Sequence, residues 1–122
     1  MHKTTFIGRL GKDVSMRYQP DGKPVASFPV AVNDGSGDKK TTIWYRVSVW
    51  DKLAENCNQY LHKGSKVYVE GRLIADKATG SPRLWKKDDG TQGVSFEISA
   101  ASVEFLDGKA AEPEADNGEI PF

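Results

Sequence analysis

Cysteine is almost absent from this chain. Cys57 stands alone, so no internal disulfide and no pair of thiols at a metal-ligand spacing can form. Histidine is nearly as scarce: His2 lies near the start and His62 at the end of a predicted helix, neither in a metal spacing. No apolar run approaches the roughly 20 residues of a membrane helix, and no signal-peptide pattern precedes the first strand-like segment. With the lone thiol, these absences lead us to expect a cytoplasmic protein without membrane contact. Converging carboxylates are missing too. Asp34 with Asp38, and Asp88 with Asp89, are loop acids beside glycines, which form turns far more often than they hold metals. Metal-assisted hydrolysis therefore finds no support in the spacing, and Cys57 reads as a small buried hydrophobe rather than a nucleophile. No catalytic residue, metal or cofactor is expected.

The 122 residues make one domain's worth of chain, with no internal repeat. The charges sum to zero, but unevenly. Residues 107–122 carry Asp107, Glu112, Glu114, Asp116 and Glu119 against Lys109, a balance of −4 that leaves +4 on residues 1–106. A mildly basic body thus precedes an acidic tail, and the separation of sign is more specific than the basicity itself.

What is present in quantity is alternation. Residues 43–50 read Ile-Trp-Tyr-Arg-Val-Ser-Val-Trp. In a strand, side chains alternate faces, so Ile43, Tyr45, Val47 and Val49 form an apolar face. Trp44, Arg46, Ser48 and Trp50 form the other. A wet strand face ordinarily shows charges and Thr, not two tryptophans around a guanidinium. Aromatic planes interleaved with a cation suit stacked bases and phosphates. Burial of both rings under a second sheet or a subunit interface explains the pattern equally well, and the segment alone leaves the two readings open.

Further strands are predicted at Thr4–Leu10, Val25–Val32, Lys66–Ala75 and Val94–Leu106, with a short extended piece at Met16–Tyr18 after the first and the last bent near Ala100-Ala101. Pro29 removes a ladder donor from Val25–Val32 and predicts an edge or a bulge there. Asp51 is expected to cap a helix from Lys52 to about His62, with Leu53, Cys57, Tyr60 and Leu61 on one stripe and Gly64 as its stop. In Lys66–Ala75, Val67, Val69, Gly71 and Leu73 are expected to face inward. Asp76–Gly93 reads as a long polar hairpin carrying Lys77, Arg83, Trp85, Lys86 and Lys87. Three strands, one helix and two more strands is the order of an all-β OB-fold, a five-stranded Greek-key barrel with its helix between strands three and four. A β-sandwich, whose strands seldom break for one such helix, is the alternative.

Several segments also resemble the bacterial single-stranded DNA-binding proteins. They are Phe6 to Asp13, Arg17-Tyr18, Pro24 to Phe28, Trp44 to Val47, Lys52 to Glu55 and the block from Tyr60 to Leu73; the chain also closes Gly118-Glu119-Ile120-Pro121-Phe122. The resemblance implies an OB-fold domain over 1–106 and, over 107–122, a disordered acidic tail ending in a docking tip. It implies sequence-independent binding of single strands by Trp44, Trp50 and Trp85, with Arg17, Arg46, Arg72, Lys86 and Lys87 along the phosphates. Lys39 and Lys40, and Arg9 and Lys12, stand equally as DNA contacts or as solvated charge. Replication, recombination and repair proteins would be taken up through Asp116, Glu119, Ile120, Pro121 and Phe122, and the chain would act as a homotetramer at the nucleoid. The chain departs from the family where an aromatic often ends the second barrel strand, here Val32-Asn33-Asp34-Gly35. Its linker, from Asp107 to about Ala115, is also short. An OB module that only joins protein assemblies is a further reading, against which the Ile-Pro-Phe tip argues.

Overall fold

The structure is a computed structural model. It describes residues 2–86, 89–90 and 92–107, with 83–86, 92 and 93 described by their backbone only. Seven strands and one helix follow in order: β1 (Thr4–Leu10), β2 (Ser15–Tyr18), β3 (Pro24–Asp34), β4 (Thr41–Trp50), α1 (Asp51–Tyr60), β5 (Lys66–Ile74), β6 (Arg83–Lys86) and β7 (Gln92–Phe105). β1, β5, β7, β4 and β3 are hydrogen-bonded neighbours in that order, and pairing of β1 with β3 closes the circuit. β2 adds to the outer side of β3, and β6 pairs only with β7. A closed five-stranded barrel with α1 between its third and fourth strands is the expected OB-fold. Among the described residues no helix is long and apolar enough to cross a membrane.

Alternation builds the core. Phe28 and Val30 of β3, Val47 and Val49 of β4, Val67 and Val69 of β5 and Ile98 of β7 all point inward and are buried. The helix closes one end with Ala54, Cys57 and Leu61. Tyr60, predicted on that stripe, is instead 57% exposed and leans on Phe105, ring centroids 6.2 Å apart. The helix ends at Tyr60, and Leu61 just beyond it fills the core instead.

Both predicted helix signals act differently from expectation. Strand β4 runs into α1 with no loop, so Trp50 takes the capping position and makes no side-chain cap bond. Asp51 makes the turn with its backbone at φ +56°, a left-handed conformation that Asp tolerates better than most residues. Gly64 is not the helix stop. At φ +92° it shapes the following turn, where its N–H donates to the Leu10 carbonyl at 2.8 Å.

Pro29 lies at a local gap in the pairing of β3, not on an outer strand and not at a bulge. β3 is paired along β4 on one side and with β1 and β2 on the other. The Pro29 carbonyl accepts from Gly11 N–H at 3.0 Å, on the side where the chain passes from β1 to β2. A residue's N and C=O point to the same side of a strand, so the missing donor falls in that gap and no ladder bond is lost.

The bend in β7 is a bulge. Glu70 pairs with Ser102 and Gly71 with Ala100, so Ala101 is skipped. The skip changes which residues face inward: Ile98 and Ala100 before it, Val103 and Phe105 after it. Gly71 admits the close approach, since a Cβ there would stand 2.7 Å from Ala100 Cα. Leu73 keeps its predicted parity opposite Ile98 but is 37% exposed, because this end of the ladder runs past the barrel rim. The predicted polar hairpin is likewise not all loop. A turn at Asp76–Ser81 is closed by Asp76 N–H to Ser81 O and Gly80 N–H to Asp76 O, both 2.8 Å. Beyond it β6 continues along the same side of β7, from Arg83 opposite Ser95 to Lys86 opposite Gln92.

Candidate nucleic-acid interface

The two faces of β4 behave as its alternation predicts. Val47 and Val49 are buried, Tyr45 is half-buried and stacks on Phe6 at 4.1 Å and 7°, and Trp44 is 52% exposed on the opposite face. Tyr45 therefore packs within the barrel. Trp44 and Arg46 open into a groove of about 520 Å³, floored by Ser27 and Pro29 of β3. Lys12, Ser15 and Arg17 border it on the β2 side, Val94 and Phe96 on the β7 side. The groove carries three cations against one acid, Asp13. The Asp13 carboxylate also accepts the Lys63 N–H at 2.7 Å.

Trp50 faces the same way as Trp44 but opens into a second groove, about 670 Å³, with Arg72, His2 and Lys77. Its ring is half-buried. The residue opposite it on β3, Val25, is buried yet stands apart from the barrel core, with Arg17 as its partner on the other side. Trp50 thus combines a structural position with an open edge. The sequence face of two rings and a guanidinium is divided between two grooves.

Of the other predicted contacts, Arg17 and Arg72 border one groove each. Trp85 and Lys86 lie on β6, whose side chains are outside the description, as is Lys87. Lys39 and Lys40 are exposed at the end of a short 3-10 turn, Gly37–Lys39, and line neither groove. Arg9 and Lys12, ambiguous in the sequence, separate here. Arg9 donates to the Gly64 carbonyl at 2.8 Å and lies 3.8 Å from Asp107, while Lys12 borders the groove. Asp116, Glu119, Ile120, Pro121 and Phe122 lie outside the described residues.

Sequence reasoning missed Phe96 and Val94. Both follow the inward parity set by Ile98, yet they are exposed, Phe96 with its ring tilted toward Tyr45 at 6.2 Å. Their signal was the alternation Val94, Phe96, Ile98 running further than a barrel strand needs. Two charge effects lie away from the grooves. Glu70 pairs with Lys3 and holds its ammonium above its ordinary value, and burial pushes the Cys57 thiol up to about 12. Among the described residues no three His, Cys, Asp or Glu side chains gather as a metal site would require.

Residues 1–106 match the sequence profile of the Single-strand binding protein family. The chain is similar to the single-stranded DNA-binding proteins of two Neisseria meningitidis strains, one of serogroup A and one of serogroup B. Identity to each is 37% over 114 residues, covering 89% of this chain and 62% of the relative. The chain thus spans less than two thirds of the length of these curated relatives. With a closed OB barrel beneath a match of 106 residues, the chain belongs to the single-strand binding protein family.

Proposed function

We propose that this protein binds single-stranded DNA without regard to sequence. The observation that carries this reading is the half-exposed Trp44 ring in an open groove bordered by Lys12, Arg17 and Arg46. Single strands expose base faces that a duplex hides, and a ring can stack on any of them. Trp50 with Arg72 forms a second contact, and Trp85, Lys86 and Lys87 add further ones. Neutralised phosphates release counterions, so binding weakens as salt rises.

The protein acts as a binder that shields single strands, not as a catalyst. It works as a homotetramer in the cytoplasm at the nucleoid. Asp116, Glu119, Ile120, Pro121 and Phe122 recruit replication, recombination and repair proteins, the apolar tip entering a pocket rimmed by Lys or Arg. The test of the central reading is a fluorescence titration with poly(dT) and with a duplex of equal length. Tryptophan quenching and tighter binding of the single strand are expected; equal affinity for both would reject it. In the same experiment, cleavage of labelled strands in Mg²⁺ would reject the binder in favour of an enzyme.

A further inference from the structure

One line of side chains crosses the outer face of the sheet. Ser15 of β2 is opposite Ser27 of β3, Ser27 is opposite Ser48 of β4, Ser48 is beside Ser99 of β7, and Ser99 is opposite Arg72 of β5. At a strand spacing of about 4.8 Å, the four serines span roughly 14 Å perpendicular to the strands. The row connects the two grooves: Ser15 and Ser27 line the one that holds Trp44, and Ser99 lines the one that holds Trp50 and Arg72.

None of the four hydroxyls is hydrogen-bonded within the described part of the chain. For Ser15, Ser48 and Ser99, which are exposed or half-buried, water is a sufficient partner. Ser27 is different. It is 9% exposed, the single buried polar side chain among the described residues, and it lines the groove floor. A buried hydroxyl without a partner is costly, and an alanine, such as those at 26 and 31 on the same strand, would avoid that cost. An acceptor arriving in the groove would supply the missing bond.

The charges around the row indicate which acceptor. Arg17 is two residues from Ser15, Arg46 two from Ser48, and Arg72 closes the row. Trp44 and Trp50 stand on opposite sides of Ser48 along β4, so a strand lying over the row would have a ring on either side for its bases. Building on the single-strand reading above, we infer that the sugar–phosphate backbone crosses the sheet along Ser15, Ser27, Ser48 and Ser99 toward Arg72. The hydroxyls donate to phosphate oxygens and make the two grooves one continuous track. The small side chains also let the backbone come close to the sheet.

The experiment compares wild type with Ser27→Ala, Ser48→Ala and the double variant. Each is titrated with a dT oligomer and with the same oligomer bearing neutral methylphosphonate linkages. The double variant is expected to bind the natural oligomer about tenfold more weakly, to bind the neutral one as wild type does, and to keep its tryptophan quenching. Ser27→Ala should melt at the same temperature or higher, since it removes an unpaired buried hydroxyl, and Ser48→Thr should restore affinity lost in Ser48→Ala. Wild-type affinity in the double variant would overturn the inference and leave the row to water. An equal loss on both oligomers would also overturn it, by assigning the hydroxyls to bases or sugars. Failure of wild type to bind dT at all is a separate result, and it would reject the single-strand reading instead.

Discussion

The ring of Trp44 lies against Gly11, so closely that a Cβ on Gly11 would stand 2.5 Å from Cζ3 and 2.7 Å from Cη2. The glycine is itself held by its N–H bond to Pro29. The outer edge of the indole's six-membered ring is thus held against backbone while the side chain stays half-exposed. A ring held in this way loses less freedom when a base stacks on it.

Gly11→Ala should leave the barrel folded and displace the Trp44 ring, lowering affinity for dT and shifting tryptophan emission. Trp44→Ala should cost on the order of 1–3 kcal/mol of binding with little change in melting temperature. Trp50→Ala should lower both affinity and melting temperature, because Val25 beside it is buried outside the main core. Titration and thermal melts of the three variants separate these effects. Full affinity in both Trp variants would place the rings outside the binding surface.

Arg46 projects into the first groove. Removing one phosphate contact to a single strand should flatten the slope of log K against log salt by about 0.7, so Arg46→Ala should show this loss. Arg9→Ala, whose guanidinium is engaged by Gly64 and Asp107, should leave the slope as it is. The check is affinity across a salt series.

Burial holds the Cys57 thiol neutral, its value raised from 9.0 to about 12. A raised value in the folded state means the native protein favours the protonated thiol. Its contribution to stability is therefore full below about pH 9 and is lost as pH climbs toward 12. Cys57→Ala should flatten the alkaline part of the stability curve, at the expense of a small cavity at neutral pH. Native protein at neutral pH should resist thiol reagents that label it after unfolding.

One barrel offers about 4–16 nucleotides of site, so tight binding to long strands is best served by several barrels together. Light scattering at micromolar concentration should return a tetramer mass. A monomer that retains its affinity for long strands would remove this part of the proposal.

Deleting residues 116–122 should leave DNA affinity equal or slightly higher, since negative charge is removed. The deletion should abolish capture of a cognate replication or repair protein in a pull-down. Loss of DNA binding with capture intact would reverse the role assigned to this segment.

Period-two patterning made the two faces of β4 legible, because one buried face dictates every second residue. It also placed Val67 and Val69. The same rule could not show that Phe96 and Leu73 are exposed, since that depends on where paired strands leave the barrel. Nor could it show that Ala101 drops out of the ladder, which is settled by Gly71 on another strand. Asp51 and Gly64 carried the right residue types for caps, but the absence of any loop after Trp50 moved the cap position by one residue. Trp44, Arg46 and Trp50 were placed on one face from sequence. Their division between two grooves arises from neighbours on β2, β5 and β7 that no local pattern brings together.

Strand β7 is bonded to β4 on one side and to β5 and then β6 on the other. It is also the last of these strands to leave the ribosome. Until it emerges, β4 keeps an unpaired edge from Tyr45 to Ser48 and β5 another from Val67 to Ile74, two templates for association with other chains. The parallel pairing with β4 spans some fifty residues of sequence, a slow kind of contact to make. A growing chain that holds everything up to the β6 turn is therefore an open sheet, and synthesis of β7 turns it into a barrel in one closing step.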